Sequence, residues 1–287
     1  MTRDNKVIYV NGDSFTEGCE LSNHFCHGAF DRYYSLDDVI NWGADTQNIQ
    51  TESVRKIRKF HDEHPELLDG FFDYENEKRW SNQLENLLGR RVLNTSSHGG
   101  SGMYAIAYRT LMDISRFIKQ GLEVTDVIIQ ITSPYRFSVF KDTGKFEEPR
   151  FVKNTPPPTR YNIVSMNYVT DVPAGEIEDP QWQQYRYIHD LYMFSNAIKQ
   201  ITNANLIFVD SIFYKTNPIN KIGINLLDAV PDGHVKDFKN TLDSELTLSM
   251  LDVIDRYEND TFTAGLHFTE KVHERFARAI AERYFNE

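Results

Sequence analysis

Short, almost wholly apolar runs alternate along this chain with longer stretches whose apolar positions recur at three- and four-residue spacing. Lys6 to Asn11 (KVIYVN) is β-branched and apolar and is closed by Gly12, which predicts a buried strand. Arg91 to Thr95 predicts a second strand, after a helix from about Glu75 to Leu88 that Gly89 would cap. Met103 to Lys119 has helical spacing through Ile106, Leu111, Ile114 and Ile118, and Val124 to Thr132 (VTDVIIQIT) is the strongest strand signal. A long helix over Gln181 to Thr202 leads to a strand at Leu206 to Val209, and two more helices are expected near Leu242 to Tyr257 and Glu270 to Tyr284. Strands that are apolar throughout, alternating with helices, imply a parallel sheet covered by helices on both faces, the α/β class. Two segments interrupt the alternation. Phe25 to Asp73 is polar, aromatic and irregular, and Phe140 to Asp179 is rich in proline, including Pro156-Pro157-Pro158. Loops this long usually serve a function. They are read as insertions, at about 25–73 and 140–179, in a single domain spanning 1–287.

Composition narrows the class. At 287 residues with 40% hydrophobic and 25% charged positions, the chain can bury a sizeable core. The 31 basic against 42 acidic residues leave a net charge of −11, which argues against a nucleic acid partner held through its phosphates. No stretch approaches the ~18 apolar residues of a membrane span, and the run after Met1–Lys6 is too short for a signal-peptide core. The two cysteines imply no disulfide framework. A soluble chain is expected, and its oligomeric state is left open.

Candidate chemistry starts directly after the first strand, at Gly12-Asp13-Ser14-Phe15-Thr16-Glu17-Gly18. A serine at the C-terminal end of a parallel strand lies where α/β folds place ligands. A helix beginning there aims N–H groups at a developing oxyanion. An ordinary strand-to-helix turn with a Ser/Asp cap would look the same.

Gly12-Asp13-Ser14 with Gly18 resembles the first block of the SGNH (GDSL-type) serine hydrolases. Trp80 to Gly89, Val92-Leu93-Asn94 and Gly99-Gly100-Ser101-Gly102 are similar to the helix, strand and glycine turn of the second block, and His267-Phe268-Thr269 before a C-terminal helix is similar to the last. The resemblance implies a flavodoxin-like three-layer sandwich with a central parallel sheet, no cofactor and no metal, and an ester as substrate. It makes Ser14 the nucleophile, His267 the general base, and the N–H groups of Ser14 and of Gly99 or Gly100 (Gly100 favoured) the oxyanion donors. His273 reads as structural.

The chain departs from the family pattern twice. The position three before His267, usually Asp, is Ala264, and Asp260 is the candidate orienting acid in its place, with a backbone carbonyl or a Ser–His dyad as alternatives. The third block lacks its Asn: after Ile131 the chain reads Thr132-Ser133-Pro134-Tyr135-Arg136. Ser133 or Arg136 would supply the missing donor. Proteins with such diverged third blocks resemble some encoded by bacteriophages, so either a cytoplasmic or a virion-associated setting is expected.

Other clusters carry less. Cys19, His24, Cys26 and His27 crowd together, but their spacing does not match common zinc patterns. Asp232-Gly233-His234 reads as a turn after Pro231. Tyr33, Tyr34, Trp42, Phe71, Phe72, Tyr74, Tyr161 and Tyr168 either line a sugar-stacking surface or pack the insertions onto the scaffold. The function expected is hydrolysis of an O-acetyl or short acyl ester on a carbohydrate, or transfer of that acyl group to an alcohol. The alternative is a catalytically weak, glycan-binding or structural protein.

Overall fold

A computed structural model describes residues 5–18, 21, 33–41, 52, 55, 56, 59–96, 102–132, 136–142, 161–167, 180–210, 248–263 and 267–285. The chain forms two compact units, each assembled from separate stretches of sequence. One comprises Met1–Asp13 with Arg90–Ser249, the other Ser14–Gly89 with Met250–Glu287.

The first unit holds the sheet. Strands β1 (Lys6–Asn11), β2 (Val92–Asn94) and β3 (Glu123–Ile131) are followed by β4 (Arg136–Asp142), β5 (Tyr161–Asn167) and β6 (Asn205–Asp210). Four of these form one all-parallel sheet in the order β2-β1-β3-β6. That order, with the first strand flanked by the second and third, is the doubly wound, flavodoxin-like arrangement, so the α/β class expected from the alternation holds. β1 is buried from Val7 onward on both faces, which is why its sequence does not alternate. Helices Met103–Lys119 and Pro180–Ile201 supply Met103, Ile106, Ile114, Phe117, Leu191, Phe194 and Ile198 to a core shared with Val7, Tyr9, Val127, Ile129 and Phe208. Burying one such Leu, Ile or Phe is worth about 1.5–3 kcal/mol.

β4, which starts before the stretch read as the 140–179 insertion, and β5, which lies inside it, pair antiparallel, from Arg136 opposite Asn167 to Asp142 opposite Tyr161. The helix expected near Leu242 to Tyr257 is not formed over the described residues 248–257. The Asp210 N–H donates to the Leu248 carbonyl at 2.9 Å, which draws residues 248 and 249 alongside β6 and leaves only a short 3-10 turn at Met250–Val253.

The second unit is helical. In chain order, and counting the two helices of the first unit, the helices whose bounds fall within the described residues are α1 (Ser14–Glu17), α2 (Leu36–Asn41), α3 (Leu68–Lys78), α4 (Trp80–Leu88), α5 (Met103–Lys119), α6 (Pro180–Ile201) and α7 (Glu270–Tyr284), and residues 59–63 are helical as well. α2, a 3-10 turn at Pro65–Leu67 and the start of α3 therefore give regular structure to part of the 25–73 stretch. α7 buries Val272, His273, Phe276, Ala277, Ile280 and Ala281, a stripe at four-residue spacing, and Phe276 meets Trp80 of α4 edge-on at 5.6 Å. Gly89, in the left-handed region (φ 61°), stops α4 where the sequence placed the cap.

The single helix expected over Glu75 to Leu88 is instead two, broken at Arg79 (φ −63°, ψ 148°). Arg79 makes no side-chain cap for α4, and the orphan Trp80 N–H donates to His273 Nδ1 of α7 at 3.1 Å. Among the described residues no helix is long and apolar enough to cross a membrane.

Candidate active site

The Gly12-Asp13-Ser14 turn is braced by buried side chains on the first-unit side. Asn11, the last residue of β1, accepts the Gly12 N–H at 2.8 Å through Oδ1. Its Nδ2 donates to the Ile106 carbonyl (3.3 Å), Thr110 Oγ1 (3.1 Å) and Tyr9 Oη (3.2 Å). Tyr9 Oη in turn shares a 2.6 Å hydrogen bond with Thr95 Oγ1 and donates to Asp113 Oδ2 at 3.2 Å. Burial, reinforced by the Asp113 charge, pushes the Tyr9 phenol well above its ordinary range, so it stays a neutral donor. Asp13, fully buried, accepts the Thr132 hydroxyl at 3.0 Å, and the Thr132 carbonyl accepts from Tyr187 Oη at 2.6 Å.

Ser14 opens α1 and the second unit. It is 6% exposed, and Phe15 and Thr16 are buried with it. The Gly18 N–H closes the turn onto the Ser14 carbonyl at 3.1 Å. Gly18 has φ +81°, and a Cβ there would stand 2.9 Å from Arg79 Cβ, so both conformation and space require glycine at the end of the motif.

His267 sits in the same unit, paired with Thr263. The Thr263 N–H donates to the His267 carbonyl at 2.8 Å, and the His267 N–H donates back to Thr263 Oγ1 at 3.2 Å. Outside that pair, the Thr269 N–H donates to the Thr261 carbonyl (3.1 Å), and Phe262 bridges Phe268 on one side and Tyr34 on the other. Glu258 accepts from Lys271 and, at 2.5 and 3.1 Å, from Arg275, which ties the approach to this pair onto α7. The His267 ring lies 5.1 Å from the ring of Phe15, the residue next to Ser14, and Phe15 also packs on Phe268 at 5.4 Å. The fold thus brings the two ends of the sequence motif to one aromatic cluster.

The other histidine of the last block has a separate role. His273 is 1% exposed, and its pKa is lowered to about 3 by burial, with repulsion from a charged His267 adding to the effect. It is neutral, with Nδ1 free to accept from Trp80 and the ring proton therefore on Nε2. Asp260 is exposed and occupies the left-handed region (φ 72°), and its carbonyl accepts the Thr269 hydroxyl at 2.6 Å.

Ala264, Gly99, Gly100 and Ser133 lie outside the described residues, as do the Cys19–His27 cluster, Asp232, His234, Trp42 and Tyr168, and Arg136 and Tyr161 are described in their backbone alone. Among the expected aromatics, Phe71 is buried and packs on Phe60 at 6.2 Å and His61 at 5.8 Å, and Tyr74 donates to Glu270 at 2.7 Å. Among the described residues no three His, Cys, Asp or Glu side chains group to hold a metal ion. Phe15, Thr263, Arg79 and Asn11 drew no notice as site residues in the sequence, because their contacts join positions that no local spacing relates.

No family model matches the chain, and no curated protein matches it. Among solved structures it is similar to a carbohydrate esterase family 2 enzyme with a carbohydrate binding domain from Corynascus thermopiles (Myceliophthora fergusii), at 12% identity, TM-score 0.45, over 97% of this chain and 66% of that one. It is also similar to an acetyl xylan esterase from the rumen bacterium Butyrivibrio proteoclasticus, at 12% identity, TM-score 0.42, over 96% and 62%. The chain spans about two thirds of either neighbour.

Proposed function

We propose that this chain is a serine esterase of the SGNH type, removing an O-acetyl or other short acyl group from a carbohydrate. One observation carries the reading. Ser14 and His267, far apart in sequence, belong to one compact unit, where the His267 ring packs on the residue adjoining Ser14.

In the proposed reaction Ser14 Oγ attacks the ester carbonyl as neutral His267 takes its proton. The oxyanion that forms is met by the Ser14 N–H. Collapse expels the sugar hydroxyl, which receives the proton from His267, and water attacks the acyl-enzyme by the same route. A second sugar hydroxyl in place of water would make the reaction an acyl transfer. His273, neutral and engaged with Trp80, takes no proton in this scheme. Thr263 fixes the His267 backbone from both sides, an anchoring role that leaves the ring to do the chemistry.

The test is hydrolysis of p-nitrophenyl acetate by wild type, Ser14→Ala and His267→Ala, with a fluorophosphonate label. Turnover reduced at least ~10³-fold by either substitution, with the label on Ser14, is the expected result. Full activity in Ser14→Ala, or a label elsewhere, would overturn it. The second reading, a weak or inactive glycan-binding or structural protein, is favoured by Ala264 at the position where the family pattern has Asp. It would be adopted if wild type neither turns over nor labels and binds glycan.

A further inference from the structure

The break between α3 and α4 carries a charged side chain that the reaction scheme leaves unused. Arg79 is 7% exposed, and its Nε donates to Asn82 Oδ1 at 3.1 Å. Glu17 of α1 and Glu75 of α3 supply the negative charge around it. Burial lowers its pKa to about 10, so it is a cation at neutral pH. A buried guanidinium is costly to desolvate, and an apolar side chain would fill the same place at less cost.

A second observation leads to the same residue from the backbone. Gly18, at the end of the serine-bearing turn, lies so close to Arg79 that a Cβ would stand 2.9 Å from Arg79 Cβ and 3.4 Å from the Glu75 carbonyl oxygen. The Gly18 N–H is bonded to the Ser14 carbonyl, so whatever holds positions 17 and 18 also holds Ser14.

We propose that Arg79 is a positioning residue, a buried cation at the helix break whose close packing against Gly18 seats α1 and thereby fixes the orientation of Ser14. This rests on Ser14 being the nucleophile for its catalytic consequence, though not for its structural one.

The test uses Arg79→Met and Glu17→Gln, singly and together, in the full chain well below each variant's melting midpoint. Two readouts are taken: amide exchange at Gly18, and kcat, KM and fluorophosphonate labelling with p-nitrophenyl acetate as substrate. Arg79→Met is expected to speed Gly18 exchange and to lower kcat and the labelling rate, each about tenfold or more, with KM within about twofold. Adding Glu17→Gln should recover part of the loss, because it removes the carboxylate left without its cation. Exchange and kcat within about twofold of wild type, with only the melting midpoint lowered, would overturn the proposal. If Arg79→Met does not fold, Glu17→Gln alone decides by the same criteria. If wild type shows neither turnover nor label, the esterase reading fails, and Gly18 exchange still decides whether Arg79 seats α1.

Discussion

Substituting alanine at Gly70, Gly89 and Gly18 of the second unit separates backbone strain from want of space. Gly70 lies inside α3 with nothing within 4 Å of a new Cβ. Alanine there should stabilise the protein by about 0.5–1 kcal/mol, the helix preference of Ala over Gly. Gly89 has the same open space but φ +61°, so alanine bears only the left-handed penalty, about 1 kcal/mol. Gly18 has φ +81° and a Cβ position 2.9 Å from Arg79 Cβ and 3.0 Å from Leu21 Cδ1. The Leu21 methyl can rotate aside, but Arg79 Cβ is held by the backbone at the helix break. Overpacking of this kind costs about 1–3 kcal/mol, for a total of about 2–4 kcal/mol. At roughly 2–4 °C per kcal/mol, thermal midpoints should rise slightly for Gly70→Ala, fall by about 2–4 °C for Gly89→Ala, and fall by about 4–16 °C for Gly18→Ala. Equal falls at Gly18 and Gly89 would show that contact with Arg79 contributes nothing. A fall at Gly70 would undo the reasoning altogether.

The buried histidine sets a pH dependence. The folded pKa of His273 is lowered to about 3 from an ordinary 6.5, so the unfolded chain binds a proton that the folded chain refuses, and stability falls as pH drops below about 6.5. The loss approaches about 1.4 kcal/mol per unit, or about 2 kcal/mol by pH 5. In His273→Asn, whose Oδ1 can accept from Trp80 without titrating, urea midpoints at pH 7 and 5 should converge, and an unchanged slope would refute the assignment. Tyr9→Phe removes the hydroxyl that Asn11, Thr95 and Asp113 share and should cost about 1–3 kcal/mol in urea unfolding. A loss under ~0.5 kcal/mol would show that the network around the Gly12 turn closes without it.

Patterns that depend on near neighbours were legible. The spacing gave the limits of β1 and of the helices at Met103–Lys119 and Glu270–Tyr284 directly, because burial of one stripe or of a whole strand writes itself into consecutive residues. The helix break at Arg79 was not legible, since the partner that makes it tolerable, His273, is supplied from α7. The course of residues 248–249 along β6 is likewise decided by pairing with Asp210. At the candidate site, Ser14 and His267 stood out by the company they keep in sequence. The contacts that bring them to one cluster run through Phe15, an unremarkable aromatic, and through a Thr263–His267 clamp whose residues a loop reading would pass over.

The unit that holds Ser14 and His267 has a history in its order of synthesis. Its first segment ends at Gly89, and its second begins at Met250, roughly 160 residues later. A ribosome adding about 5–20 residues per second needs roughly 8–30 s to cover that gap. Throughout that interval Trp80 has neither Phe276 beside its ring nor His273 to receive its amide. The nascent chain therefore displays an indole, an arginine and a serine turn still awaiting their closing helix. The sheet unit, begun by Met1–Asp13 and complete at Ser249, has all its strands before that helix is made. Any activity that needs Ser14 together with His267 would then begin only after residue 267 and the helix behind it have been made.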